Sequence, residues 1–326
     1  MIEIYNNFEL IGLNPVYSKF TWIRRFSRAG EFRLETNFTP EKFREFAAGN
    51  IIYKRNVDEA AIIERRKVIQ TINDELMLVV EGRHLSSILD RRIFSLEGEM
   101  QLISILDNII NNNFMAAAGT LRTMVPEGFR FIPYTVPPIN ISAQYRQANA
   151  YESIVKLCEE NGLGVRMRYN FSTRTHDLMF YQPTQTDVVF AKKFANVIEQ
   201  NYMDDTERYR NVVYIEDQHI HNNTFFSGMS RREMTIQMPG EGQNFTQSSL
   251  DALHENRAIK ILSSTINPYS EQFVYLEDWD IGSIVLSRNQ ELDYSEKEIV
   301  SEIVEIYGEE GLSLVVNLGD YIERRR

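Results

Sequence analysis

Two stretches of strand-like alternation, one at each end of the chain, enclose a central stretch with helical spacing. Residues 1–82 and the residues from about 186 onward alternate short apolar and polar runs that are broken by turn residues, which is typical of half-buried strands. The central region instead spaces its apolar residues as one face of a helix does. This order predicts an α+β protein in which two β domains flank a helix-containing middle domain.

The first 82 residues predict a series of strands. Ile2 and Ile4 precede the pair Asn6-Asn7, and a second alternating run follows, which predicts a hairpin because asparagine tolerates the positive φ of tight turns. Pro40 suits the first turn of a short helix. The elements predicted after the hairpin are strands at residues 16–26, 31–38, 50–55, 59–72 and 75–81 and a helix at residues 40–48. Together they predict a small barrel or sandwich.

Two amphipathic helices are predicted in the middle region, at residues 97–114 and 151–160. Their apolar residues recur at helical spacing, as Leu102, Ile105 and Ile109 do in the first helix. Proline residues between the two helices predict an extended connection, because proline lacks an amide hydrogen and fixes φ.

Strand patterns return after the second helix. The predicted elements are strands at residues 165–169, 178–181, 188–191, 209–215, 234–238, 272–276 and 281–286, a helix at residues 248–262, and a final hairpin at residues 299–307 and 312–318. Ser295 with Glu298 also forms a capping box that would start a helix, and we favour the hairpin.

These patterns divide the chain into three parts. We expect a β-barrel-like domain at residues 1–92, an α+β domain with helices at residues 93–185, and a second β-barrel-like domain with an inserted helix at residues 186–326. A chain of 326 residues has room for two or three domains of ordinary size.

Charge and cysteine content exclude several classes of protein. The formal net charge of -11 argues against a general nucleic-acid-binding surface, which depends on clustered Lys and Arg to displace counterions from phosphate. Cys158 is the single cysteine, so neither an intrachain disulfide nor a thiolate metal cage can form. The chain lacks a signal-peptide pattern and any long apolar run, so we expect it to fold in a cytoplasm without a membrane span.

Two histidines are the best metal candidates in the sequence. His219 and His221 flank Ile220, so on a strand both imidazoles would project from one face. Further ligands would have to come from other chains meeting on an axis. We therefore expect no metal site in the single chain.

Two acidic pairs are the best catalytic candidates. Asp204-Asp205 and Glu216-Asp217 could supply paired carboxylates for acid and base chemistry on a glycan, but acidic turns explain them more simply. No phosphate-binding or dinucleotide-binding loop is present in the sequence. The residues thus predict neither a catalytic nor a cofactor-binding site, and no cofactor.

The segment FTWIRRFSRAGEFRL, residues 20–34, resembles the opening signature of a siphophage tail-protein family, the hub or tail-associated proteins at the distal end of the tail. Residues 49–52, 60–64 and 79–92 resemble the strands and the short helix that follow in that family, residues 210–215 resemble a later strand, and residues 279–285 resemble a turn and strand in which Ser283 replaces the usual acid. The residues that carry this signature are Trp22, Gly30, Phe32, Leu34, Gly82 and Gly282.

The resemblance implies a structural role at the tip of a phage tail or of a tail-like particle assembled in the bacterial cytoplasm. Such a chain forms a homotrimer whose two barrels per chain make six related units around a channel. Its partners would be the distal tail ring protein and other tail-tip or baseplate proteins, and DNA would pass only transiently. We further expect carboxylates to line the channel, because they would keep DNA from adhering.

Arg24 and Arg25 should place one guanidinium on each face of their strand. The planar group suits pairing with carboxylates of a neighbouring subunit, so both are candidate subunit-interface residues. Pairing within their own barrel is an equally good alternative.

Two other functions remain open from the sequence. One is a cell-wall lytic enzyme associated with the tail, although only a short segment follows residue 320 and leaves no room for an appended lytic domain. The other is a glycan-binding tail module built on exposed members of the 16 Tyr and 19 Phe residues, most of which core packing explains. We expect the chain not to be an enzyme.

Overall fold

The computed structural model describes residues 2–14, 16–70, 72–136, 138–215, 218–221, 226–237 and 245–320. Within these residues the chain is mostly β, and its two longest helices lie in the middle. The expectation of strands at both ends and helices between them is confirmed.

The N-terminal region is built from strands. Its elements are β1 (Ile2–Asn6), β2 (Glu9–Asn14), β3 (Lys19–Arg25), β4 (Glu31–Asn37), α1 (Pro40–Glu45), β5 (Ile51–Lys54), β6 (Ala60–Gln70) and β7 (Leu76–His84). The β1–β2 turn has positive φ at Asn7 and Phe8, as a tight hairpin requires. Thr39 caps α1 by accepting the amide of Lys42.

The middle region combines two longer helices with two small sheets. After a 3-10 helix, Leu85–Arg91, it contains β8 (Ile93–Gln101), α2 (Leu102–Asn113), β9 (Phe129–Phe131), β10 (Asn140–Asn149), α3 (Ala150–Asn161), β11 (Gly164–Asn170) and β12 (Thr175–Tyr181). Asn149 caps the start of α3, and Gly162 ends it in the left-handed conformation.

The C-terminal region returns to strands. It contains β13 (Thr184–Phe190), β14 (Val197–Asp205), β15 (Val212–Ile215), β16 (Gln218–His221), β17 (Glu233–Thr235), α4 (Phe245–Glu255), β18 (Ile259–Ile266), β19 (Ser283–Asn289), β20 (Tyr294–Gly308) and β21 (Gly311–Asp320). The final hairpin is confirmed, and the helix that the capping box would have started at Ser295 does not form, because those residues pair with β19.

One large sheet joins the two ends of the chain. Among the described residues its main path runs β14-β18-β21-β20-β3-β4-β7-β6-β5-β1-β2, with β19 and β13 attached beside β20. The two ends meet where β3 pairs antiparallel with β20, so that Trp22 lies opposite Glu305. This path remains open at β2 and β14 and does not close into a barrel within the part of the chain that is described.

Three large apolar cores lie on and beside this sheet, and a smaller fourth one packs α4 against β15 among the described residues. Trp22 and Leu34 belong to the N-terminal core, and Trp279 and Ile303 belong to the C-terminal core. The third core packs α2 and α3 against the small middle sheets, with Cys158 buried inside it. The β3–β20 pair is therefore the boundary between two separately packed halves of one sheet.

Two predicted helices have the wrong bounds. Residues 97–101 belong to β8, because they pair with β10, and the helix begins only at Leu102. The helix predicted at residues 248–262 ends at Glu255, and β18 follows, because its residues pair with β14 on one side and β21 on the other. In both cases a partner strand distant in sequence outweighs local helical spacing.

Strand predictions failed in a few places. Residues 272–276 form turns rather than a strand, with the amide of Leu276 bound to the carbonyl of Trp279. The sequence patterns did not predict β9, β10 or β14. β9 is only three residues long, and β14 carries polar residues on both faces, so that its alternation is weak.

Candidate functional site

A buried group of charged and phenolic side chains spans the boundary between the two halves of the sheet. We call it the junction network, and it consists of Arg24, Lys54, Glu59, Tyr275, Asp280, Glu305 and Tyr307. Its members come from β3, β5, the residue before β6, the segment before β19, and β20. Side chains from the N-terminal and C-terminal regions of the chain thus contact one another in this network.

Arg24 is the centre of this network. Its Nε and Nη2 donate to the two carboxylate oxygens of Glu59 at 2.9 and 3.0 Å. Nη2 also donates to Asp280 Oδ2 at 3.1 Å, and Nη1 donates to Asp280 Oδ1 and to the Tyr275 hydroxyl. The side chain is 2% exposed, and each of its three guanidinium nitrogen atoms donates to a side chain of the same chain.

A second buried ion pair extends the network. Lys54 Nζ donates to Glu305 Oε2 at 2.6 Å, and Glu305 is fully buried. The Tyr275 hydroxyl donates to the other oxygen of Glu305 at 3.0 Å, and Tyr307 also donates to this carboxylate. Tyr275 therefore connects the two ion pairs, because it accepts from Arg24 and donates to Glu305.

The electrostatics of the network keep the Arg24–Glu59 pair charged. Burial alone would raise the pKa of Glu59, but the charge and hydrogen bonds of Arg24 outweigh it and lower that pKa to about 2. The pKa of Arg24 is raised well above its ordinary value, because its carboxylate partners outweigh the burial that lowers it. The Arg24–Glu59 pair therefore has no proton to exchange near neutral pH, which suits a structural role rather than acid–base catalysis.

Arg25 lies on the opposite face of β3, as the alternation predicted. Its Nε donates to Glu302 Oε2 at 2.6 Å and its Nη2 donates to Glu31 Oε1 at 2.7 Å. A quarter of its side chain is exposed. Subunit contacts at Arg24 and Arg25 stay a prediction, and Arg25 is the one of the two with exposed surface in the single chain.

The signature residues occupy tightly packed positions in the N-terminal core. Trp22 lies directly opposite Phe32 across β3 and β4, and Leu34 is fully buried beside them. A Cβ on Gly30 would lie 1.9 Å from the carbonyl oxygen of Ile23. Gly30 therefore permits an approach of two strands that any side chain would prevent.

Gly82 likewise permits a close approach of β6 and β7 that a side chain would prevent. A Cβ there would lie 1.9 Å from the carbonyl oxygen of Ile62 and 2.9 Å from a ring carbon of Phe32. We expect Gly82→Ala to lower the free energy of unfolding by about 1–3 kcal/mol, because the strands must separate. Urea unfolding monitored by tryptophan fluorescence measures the change.

Gly308 provides a matched control for this substitution. A Cβ at Gly308 would meet nothing within 4 Å. Gly308→Ala should stay within about 0.5 kcal/mol of the wild type. Equal effects of the two substitutions would contradict the steric role of Gly82.

Gly282 has a conformational reason to be glycine. Its φ is +84°, a left-handed value that side-chain-bearing residues rarely adopt, and a Cβ would lie 2.7 Å from the Phe26 ring. The turn before β19 therefore depends on this residue.

His84 is buried against Trp22 and remains neutral. The ring centroids are 4.4 Å apart, and burial, reinforced by the charge of Arg24 although opposed by that of Glu59, lowers the pKa of His84 to about 3. His176, whose ring is tilted against that of Phe8 with the centroids 4.8 Å apart, has a pKa lowered by burial to about 4.

These histidines predict a loss of stability in acid. Because the folded-state pKa lies below the unfolded value, the stabilisation is complete above pH ~6.5 and is lost as pH falls toward the folded-state pKa. Between pH 7 and pH 5 we expect each histidine to remove about 2 kcal/mol from the free energy of unfolding. His84→Gln should reduce this pH-dependent difference by about that amount, whatever it does to stability at pH 7. Urea unfolding at pH 7 and pH 5 measures this difference. If the difference in unfolding free energy between the two pH values is the same in His84→Gln as in the wild type, the prediction is wrong.

The other candidate residues that the structure describes are not assembled into a site. Asp204 is exposed at the end of β14, and Asp205 accepts the amide of Glu207 at 2.8 Å. Glu216 and Asp217 lie outside the described residues. Cys158 is fully buried, and burial raises the pKa of its thiol, which opposes a nucleophilic role.

The two candidate metal ligands can be placed only by their backbone. His219 and His221 alternate with Ile220 in β16, which pairs with β15, and their side chains lie outside the described residues. Elsewhere in the described chain no three His, Cys, Asp or Glu side chains come together as a group that could hold a metal ion. None of the helices described has the length and apolar character needed to cross a membrane.

Sequence reasoning missed most of the junction network. Period-two alternation does place Arg24 on the same face as Phe20 and Trp22, which is a usable signal, because an inward arginine needs buried carboxylates. Nothing local indicated that Glu59 and Asp280 would supply them. These residues are separated from Arg24 by 35 and 256 positions.

The overall fold is similar to that of several solved tail proteins. The 43 kDa tail protein of prophage MuSo2 from Shewanella oneidensis is 13% identical, with a TM-score of 0.63 and 97% of each chain covered. A tail protein from Neisseria meningitidis MC58 is 11% identical, with a TM-score of 0.61, covering 97% of this chain and 95% of that one. The prophage tail protein gp18 from Listeria monocytogenes EGD-e is 12% identical, with a TM-score of 0.58, covering 97% and 94%.

A component of a type VI secretion system, the Escherichia coli c3393 protein, is also similar. It is 12% identical, with a TM-score of 0.54, covering 99% of this chain and 77% of that one, and it is described as structurally similar to the T4 bacteriophage tail proteins gp27 and gp5. At these identities the similarity shows a shared fold. No curated protein matches the sequence significantly.

The sequence itself is matched by one protein family over almost its entire length. The profile of the Siphovirus ReqiPepy6 Gp37-like protein family matches residues 1–320. This agrees with the siphophage resemblance carried by residues 20–34 and with the fold of the solved tail proteins. The chain belongs to the Siphovirus ReqiPepy6 Gp37-like protein family.

Proposed function

We propose that this protein is a structural hub at the tip of a phage tail or tail-like particle. Three copies form a ring that joins the sixfold tail to the tip machinery and lines or closes the channel. The chain is not an enzyme in this proposal, and its partners are its own copies, the distal tail ring protein and other tail-tip proteins.

The observation that carries the proposal is the division of the large sheet into two halves. Each half has its own core, around Trp22 on one side and Trp279 on the other, and the halves meet at the β3–β20 pair. Two barrel-like units in each chain, within residues 1–92 and 186–326, would give a trimer six units. That number matches the sixfold symmetry of a tail ring.

The junction network suits this role. A trimer of paired units can present a regular sixfold surface only if the two units of each chain keep a fixed relation. Buried, fully hydrogen-bonded ion pairs have strict geometry, so Arg24 and Glu305 can hold the two halves in one arrangement.

Surface charge supports passage of DNA without retention. Arg33 donates to Glu35 and to Glu81, and Arg83 donates to both oxygens of Glu64. Guanidinium groups engaged in this way are less available to phosphate, and the net charge of -11 repels it. We therefore propose an acidic channel lining.

The similarity of the type VI secretion component to gp27 and gp5 of T4 also supports a tail-tip role. The similarity is one of fold, and the assembly role of this chain is part of the proposal.

Copy number tests the proposal directly. We expect mass measurement of the protein bound to its distal ring partner, or within purified tails, to give three copies per tail. The complex with the ring partner is the appropriate sample, because an isolated hub can remain monomeric. Two or six copies per tail would overturn the trimeric hub.

A further inference from the structure

Residues 65–70 of β6, which we call the basic edge, have no partner strand on one side among the residues that the structure describes. β5 pairs with β6 only through Ala60, Ala61 and Ile62, whereas β7 pairs with it as far as Gln70. In the described residues the basic edge is therefore bonded to one neighbouring strand alone. Unpaired strand edges present backbone donors and acceptors that can bind another strand.

The basic edge is cationic and partly apolar at its surface. Arg65 and Lys67 are exposed, Arg65 with 65% of its side chain accessible. Val68 and Ile69 are 42% and 40% exposed, and Ile72, just beyond the strand, is fully exposed. Large β-branched residues in contact with water on an open strand favour a partner.

Strand β14, which we call the acidic edge, is the last strand at one end of the large sheet as far as the described residues show. It pairs with β18 on one side, and the path of the sheet ends there. Glu199 and Asp204 are exposed, and Ile198, Tyr202 and Met203 are 62%, 37% and 49% exposed. The acidic edge therefore also exposes large apolar side chains, as the basic edge does, and it carries the opposite charge.

We propose that the basic edge of one copy pairs with the acidic edge of the next copy and continues the sheet from chain to chain. This inference rests on the proposed function, because it supplies the contact by which copies of the hub form a ring. The partner is a second copy of this chain, and the contact is heterologous. Contacts of this kind generate a closed ring when the rotation between copies closes.

An antiparallel register with Val68 opposite Tyr202 satisfies both charge and packing. Val68 lies opposite Leu78 within its own sheet, and Tyr202 lies opposite Leu262, and both leucines are fully buried. Val68 and Tyr202 are thus both on the core-facing side, and the register keeps the two cores on one face of the extended sheet.

The same register brings opposite charges together. Arg65 falls opposite Asp205, and the adjacent positions place Lys67 diagonally from that carboxylate. Pairing of two basic edges or of two acidic edges would place like charges opposite each other, which is unfavourable. Charge therefore selects the heterologous contact over a symmetric one.

Disulfide trapping tests the contact. The variants Val68→Cys, carrying an affinity tag, and Tyr202→Cys are mixed as full chains with the ring partner and mildly oxidised. We expect a tagged–untagged dimer to form at least about tenfold faster than with the control pair, because bound edges hold the thiols at high effective concentration. The control replaces Val68→Cys by Leu121→Cys, at a residue that is 96% exposed in the middle region. Rates equal to those of the control pair, or dimers of two Val68→Cys chains, would overturn the proposal.

Charge exchange gives a second, independent readout. Arg65→Glu in the tagged chain should reduce trapping, and Asp205→Arg in the other chain should restore it. Failure of the second substitution to restore trapping would contradict the proposed register.

Failure of the edge contact can be distinguished from failure of the trimeric hub. A chain carrying both Val68→Cys and Tyr202→Cys should form a covalent trimer, and no oligomer larger than a trimer should appear. A long ladder would support edge pairing while contradicting the trimeric hub. Three copies per tail without any trapped product would leave the hub standing and overturn the edge contact.

Discussion

Arg24→Met is expected to lower the free energy of unfolding by about 3–5 kcal/mol, the cost of breaking a buried ion pair. The substitution leaves Glu59, which is 5% exposed, without the guanidinium that satisfies both of its oxygens. The carboxylate must then stay charged without a partner or take up a proton. Urea unfolding, with the midpoint and the slope fitted separately, measures the loss.

Arg33→Met provides the matched control. Arg33 also contacts two carboxylates, those of Glu35 and Glu81, but 47% of its side chain is exposed. Exposed pairs contribute about 0–1 kcal/mol, so this variant should stay close to the wild type. Similar losses for both arginines would mean that the junction network contributes no more than a surface pair.

A double substitution tests the cause of the Arg24 effect. Glu59→Gln combined with Arg24→Met removes the buried negative charge along with its partner. We expect the double variant to be more stable than Arg24→Met alone, because the larger penalty comes from the unpaired charge. Strictly additive losses would point to packing instead.

Trp22→Ala is the second substitution with a large expected effect, about 3–5 kcal/mol of unfolding free energy. Trp22 is fully buried between Phe20, Phe32 and His84 in the N-terminal core. Removing the indole leaves a cavity that the paired strands β3 and β4 cannot close. Thermal or urea unfolding followed by far-ultraviolet circular dichroism measures the loss, because the fluorescent probe itself is changed.

Trp22→Phe separates the effect of losing apolar volume from the effect of losing the indole N–H group. The indole Nε1 of Trp22 finds no acceptor among the described residues, so phenylalanine removes a buried polar atom while keeping most of the apolar volume. We expect a loss clearly smaller than that of Trp22→Ala. Equal losses would indicate that the indole shape itself is required.

The sequence was informative where neighbouring residues decide the outcome. Alternation identified the β1–β2 hairpin and the final β20–β21 hairpin, because the faces of a strand and the φ of a turn are local properties. Helical spacing with a glycine end signal identified α3. The signature in residues 20–34 indicated the family for the same reason, since it is a continuous run of chain.

The sequence was uninformative where a distant partner decides the outcome. Residues 97–101 form a strand because β10 lies beside them, and residues 259–266 form a strand because β14 and β21 enclose them. A polar strand such as β14 gains its conformation from pairing and offers little alternation to detect.

Arg24 illustrates both what the sequence determines and what depends on the tertiary structure. The sequence by itself determined that Arg24 points to the same side as Trp22, because successive side chains on a strand alternate between its two faces. Only the tertiary structure decided that Glu59 and Asp280 meet it there, so that an arginine suited to a subunit interface is satisfied inside its own chain. The physical reason is that alternation depends on backbone geometry within a few residues, whereas the partner of a buried charge depends on which strands, more than two hundred residues apart, come to lie side by side.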